Sequence, residues 1–150
     1  MLDLLLFGAL PYLSVALFLG VSIMRYRKEP FTFSSLSTQF LESKRLFWGS
    51  VPFHLGIIVL FFGHLVGLLF PRYVTIFNGA PVRLLILEAT AMIAGFLVFI
   101  GLGGLIFRRI TSDRLRANTS VGDILVYICL SGSVISGLWV AITMRWGSAW

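Results

Sequence analysis

His54 and His64 are the two histidines of the chain, and both fall inside one apolar run, Phe47 to Phe70. Ten residues of α-helix rise about 15 Å and turn the second side chain roughly 80° from the first. That separation is too great for one metal ion. It suits two irons, one in each leaflet of a bilayer, each taking a single imidazole from the same helix. Imidazole is a common haem ligand, and the single cysteine, Cys129, leaves no C-x-x-C-H motif for covalent attachment and no thiolate set for zinc or an iron–sulfur cluster. Any haem here is therefore non-covalent, of the b type. Gly56 beside His54, and Gly63 and Gly67 around His64, permit close approach by a flat macrocycle or by a neighbouring helix. Two uses of the histidines stay open: haem ligation, or polar contacts across a helix interface. Their even placement about the midpoint of the run, with no other deep polar residue for either to pair with, favours ligation.

The elements that must position them are membrane spans. With 58% hydrophobic and 12% charged residues and a mean hydropathy of +0.96, the 150 residues exceed what one soluble core hides. A soluble enzyme and a nucleic-acid-binding module are excluded despite the net charge of +6. Runs of about 20 apolar residues, enough to cross a hydrocarbon layer, occur at 4–24, 47–70, 84–107 and 121–144. The expected fold is an all-α membrane protein with four transmembrane helices in an antiparallel bundle. Between the first two spans, Phe31 to Leu46 mixes Phe31, Phe33, Leu36, Phe40 and Leu41 with polar residues. It reads as a short cytoplasmic interfacial helix capped by Ser34 or Ser35, there to dock a partner or to lie on lipid.

Basic residues set the orientation, because short loops rich in Lys and Arg stay on the cytoplasmic side. Arg25, Arg27, Lys28, Lys44 and Arg45 lie in the first loop and Arg108, Arg109, Arg114 and Arg116 in the third. The second loop has Arg72 and Arg83, and the C-terminal stretch Arg145. Both ends of the segment are thus expected outside a cytoplasmic membrane, with the excess positive charge acting as an orientation signal and a contact for anionic lipid. Asp123 opens the fourth span, where an acid suits a helix N-terminus, and Glu88 sits about one turn inside the outer end of the third.

These residues resemble a known family. SLSTQFLESK at 35–44, GSVPFHLG at 49–56 and FGHLVGLLFP at 62–71 look like the gamma subunit of respiratory membrane-bound nitrate reductase, the dihaem cytochrome b anchor. Tyr12, Arg25, Tyr26, RRI at 108–110, RANT at 116–119 and GDIL at 122–125 extend the likeness. The resemblance implies a subunit that oxidises quinol near the outer face. It would pass electrons through an outer and then an inner haem b to an iron–sulfur subunit in the cytoplasm, beyond which a molybdenum subunit reduces nitrate. His54 would hold the inner haem iron and His64 the outer. Nothing in this chain is expected to be catalytic toward nitrate. The alternatives are a dihaem anchor of a related respiratory oxidoreductase and a haem-free membrane anchor. Arg83 and Glu88 lie within reach of a quinol near His64, or else form an interfacial anchor and its helix-surface partner. Two b haems need four axial ligands, and the resemblance puts the missing pair on a fifth span, so the expectation is that these residues are the N-terminal part of a longer subunit. Met24, Met92 and Met144 are poorly placed to substitute.

Overall fold

In a computed structural model that describes residues 2–28 and 44–144, the chain is helical throughout, and no strand occurs among the described residues. A π-helical stretch, Leu4–Ala9, leads into α1, Leu10–Lys28. Then come α2, Lys44–Leu69, α3, Pro71–Asn78, α4, Pro81–Thr111, α5, Asp113–Ala117, and α6, Val121–Thr143. Four segments are long and apolar enough to cross a membrane: Leu4–Lys28, Leu46–Leu69, Pro81–Thr111 and Val121–Thr143. They coincide with the four expected spans, the third extending a few residues further at both ends. Of the expected interfacial helix, residues 31–43 lie outside the described residues, and its last three residues, 44–46, form the start of α2. The N-terminal helix belongs to a separate unit from the remainder.

The two connections flanking α4 contain short helices that hydropathy alone does not reveal. Phe70 leaves helical geometry at φ −131°, ψ 52°, and Pro71 then starts α3, since a proline at the first helical position gives up only an N–H that has no partner there. Pro81 starts α4 in the same way after the extended Ala80. At the other end Ser112 is extended and hands over to α5. Ser120 and Asp123 close a capping box on α6, with Asp123 N–H donating to Ser120 Oγ at 3.1 Å and Ser120 N–H to Asp123 Oδ2 at 2.9 Å.

Three glycines let α2 and α4 approach closely in antiparallel register. A Cβ on Gly56 would meet the Ala94 carbonyl oxygen at 2.5 Å and a Val98 methyl at 2.7 Å, and one on Gly101 would meet the Gly49 carbonyl oxygen at 2.7 Å. Gly49 itself packs on Leu105. Ala94, Val98 and Leu102 are buried along this seam. On another side of α4, Gly95 receives Leu138 of α6. Most other large apolar side chains are exposed, as expected where lipid is the solvent and backbone satisfaction inside each helix is the governing demand.

Gly101→Val should therefore lower the thermal midpoint of the purified protein in detergent by forcing the helices apart, at a cost of roughly 1–3 kcal/mol. Gly137→Ala, at a position with nothing within 4 Å, should leave the midpoint unchanged or raise it slightly. Equal effects of the two would remove the seam from its structural role.

Candidate functional site

Each histidine is held by its own helix. His64 Nδ1 lies 2.7 Å from the carbonyl oxygen of Leu60. His54 Nδ1 lies 2.7 Å from the carbonyl oxygen of Ser50 and 3.1 Å from its hydroxyl. A carbonyl oxygen only accepts, so Nδ1 carries the proton in both rings and donates it one turn back. In the neutral ring Nε2 is then the atom that carries the lone pair. This is the arrangement that prepares an imidazole to bind a metal, because the second nitrogen's hydrogen bond fixes both tautomer and ring orientation.

Both imidazoles are exposed. Phe53 meets the His54 ring edge to face, with centroids 5.3 Å apart and planes at 89°. Among the described residues neither histidine bonds to another helix, so the interface use of these side chains is not realised in this unit. Gly63 and Gly67, which suited either a macrocycle or a packed helix, have nothing within 4 Å of where a Cβ would stand. The close seam with α4 uses the α5 end of α2, and the surface around His64 is open. No cluster of three or more metal-ligating side chains occurs among the described residues. A site that takes one nitrogen from this chain per metal needs none. The free Nε2 atoms, the open glycine surface and the apolar surroundings thus fit a planar macrocycle bound through its iron.

Glu88 and Arg83 do not form the surface pair that was one of the two expectations for them. The Arg83 guanidinium carbon stands 5.3 Å from the centroid of the Phe77 ring, tying the start of α4 to α3. Glu88 is half-buried, and its Oε1 is shielded from solvent without a hydrogen-bond partner among the described residues.

At the α5 end, Arg109 gathers three residues of the next segment. Its Nε donates to Thr119 Oγ1 at 2.9 Å, Nη1 to Tyr127 OH at 3.3 Å and Nη2 to Asp123 Oδ2 at 3.2 Å, and its carbon stands 5.5 Å from the centroid of the Tyr127 ring. Asp123 is therefore an ion-pair partner as well as a cap. Sequence reasoning reached only the cap, although the four-residue spacing of Thr119, Asp123 and Tyr127 marks one helical face. The cluster clamps α4 to α6 and leaves no free chemistry.

The model of the nitrate reductase gamma subunit family matches residues 3–150. The chain is 32% identical over 136 residues to the nitrate reductase gamma chain of Bacillus subtilis (strain 168), covering 89% of this chain and 61% of that one. It is 32% identical over 138 residues to the respiratory nitrate reductase 2 gamma chain of Escherichia coli (strain K12), covering 91% and 61%. With the respiratory nitrate reductase 1 gamma chain of the same organism it shares 35% over 129 residues, covering 83% and 56%. The chain thus spans about three-fifths of the length of these relatives.

The hydrogen bonds to Leu60 and Ser50 make a direct spectroscopic prediction. In the metal-free protein, nitrogen-15 resonances of both imidazoles should show a protonated Nδ1 and a pyridine-like Nε2. Ser50→Ala should leave the His54 tautomer unchanged, because the backbone carbonyl remains. A protonated Nε2 in either ring would contradict the preparation described above.

Proposed function

The chain belongs to the nitrate reductase gamma subunit family, and from that membership we propose that it is the quinol-oxidising cytochrome b subunit of a membrane-bound nitrate reductase. The observation that carries the reading is the pair of metal-ready Nε2 atoms ten residues apart on one transmembrane helix.

The basic end, with Arg108, Arg109, Arg114 and Arg116, faces the cytoplasm under the positive-inside rule, so α2 runs from inside to outside and both ends of the segment lie outside. His54 would then hold the haem iron in the inner leaflet and His64 the one in the outer. Haem b, when bound, supplies a one-electron carrier at each level. The chain contributes what makes that carrier work across a membrane. Leu60 and Ser50 orient the imidazoles, the helix fixes their separation, and the apolar walls keep water and protons out of the path. Quinol oxidised beside His64 releases its protons outside while its electrons travel inward, which separates charge. An iron–sulfur subunit docks on the basic cytoplasmic face and receives the electrons, and a molybdenum subunit beyond it reduces nitrate.

In membranes carrying the complete complex, His64→Leu should remove one of two b-type absorption components in the dithionite-reduced spectrum. It should also abolish quinol-driven nitrate reduction, whereas nitrate reduction driven by an artificial donor to the cytoplasmic subunits persists. Unchanged quinol oxidation in that variant would defeat the assignment of His64. Absence of b-type absorption from the assembled wild-type complex would defeat the whole redox reading in favour of a haem-free anchor.

A further inference from the structure

The two histidines of α2 are held alike by backbone and unlike by side chain. Each Nδ1 stands 2.7 Å from the carbonyl oxygen four residues earlier, that of Ser50 for His54 and that of Leu60 for His64. His54 has a second oxygen within reach, the Ser50 hydroxyl at 3.1 Å. At His64 the corresponding residue is Leu60, whose side chain has no polar atom. The carbonyl already requires the proton on Nδ1 of His54, so the hydroxyl is the second acceptor of one N–H, in a three-centre bond.

Ser50 is well placed to hold the ring. It is half-buried and follows Gly49, which packs on Leu105 and whose carbonyl oxygen Gly101 approaches, so the α2–α4 seam fixes its backbone. Pro52 lies inside α2 between the two partners. It has no N–H to give the Trp48 carbonyl and so interrupts the helix ladder. The paired oxygens of Ser50 hold the imidazole across that interruption. An N–H that donates to two oxygens in surroundings without water leaves more electron density on its ring. Nε2 is then the stronger donor to an iron, and a stronger donor favours the more positive, oxidised metal.

We propose that the Ser50 hydroxyl sets the redox balance of the carrier held by His54, lowering its hold on an electron below what the backbone carbonyl alone would give, and that Leu60 leaves the carrier at His64 without this bias. The inference rests on the dihaem reading above. Ser50 is a positioning residue in it, acting on the iron through the imidazole. One electron arrives from the carrier at His64, reducing the carrier at His54, and leaves for the iron–sulfur subunit, restoring the oxidised form. A carrier that holds this electron less tightly passes it on more readily.

The test is a potentiometric titration of membranes containing the complete complex, followed through the two b-type absorption components. The component that persists in His64→Leu belongs to His54. Reduced-to-oxidised ratios are read at the wild-type midpoint of each component. Ser50→Ala, which keeps the backbone carbonyl, should raise the ratio of the His54 component about threefold, or roughly 28 mV at about 59 mV per tenfold change for one electron. It should change the other component less than about 1.5-fold. Ser50→Thr, which keeps a hydroxyl, should return the ratio to within about 1.5-fold of wild type. Leu60→Ser should do the converse, lowering the ratio of the His64 component about threefold.

An unchanged His54 component in Ser50→Ala at full haem content, equal shifts of both components, or a shift in the threonine variant as large as in the alanine variant overturns the role of Ser50. Where Ser50→Ala fails to retain haem, Leu60→Ser carries the test, and an unmoved His64 component there overturns it. Two b-type components in the wild type without these shifts refute this inference and leave the dihaem reading standing. A wild-type complex without b-type absorption overturns that reading, and this inference with it.

Discussion

The close antiparallel contact of α2 and α4 governs the rest of the described structure. In lipid there is little hydrophobic gain in pressing two apolar helices together, so association depends on how near the backbones come and how many van der Waals contacts follow. Gly49, Gly56 and Gly101 remove the side chains that would hold the axes apart. That single seam fixes the register between the two helices and commits one face of α2 to protein, leaving the histidines on the remainder. It also sets which residue of α4 stands level with each of them.

Polar groups follow a second rule. Several at the ends of helices are matched within the chain: Ser120 with Asp123 in the capping box, Arg109 with Thr119, Tyr127 and Asp123, and Arg83 with the Phe77 ring. Within the spans the matching is only half complete. Among the described residues the histidines spend Nδ1 on their own helix and keep Nε2 available, and Glu88 Oε1 meets no donor.

The membrane helices were legible from composition because an apolar run of span length has few alternatives to a helix: every backbone group must be satisfied within its own segment. Their ends were read to within a few residues from the charges and prolines that cannot continue them. Residue type and spacing likewise singled out His54 and His64, since polar side chains inside an apolar run are few enough to be conspicuous. The helices α3 and α5 escaped because they are short and lie in loops, where their periods are too brief to register against turn residues.

What the linear sequence could not decide were choices between partners. Gly63 and Gly67 carry the same spacing signal as a packed interface, yet the structure leaves them open and uses Gly49, Gly56 and Gly101 instead. Arg83 and Glu88 are close enough along one helix to suggest a pair, but Phe77 of α3 reaches the arginine and the carboxyl is left without it. Asp123 reads as a cap, and becomes an ion-pair partner only once α6 folds back on Arg109. Hydropathy and helix capping are local, set by the transfer energy of neighbouring residues and the unpaired groups of one helix end. Register and partner choice depend on which faces meet across a bilayer, and those faces acquire neighbours only when the helices pack.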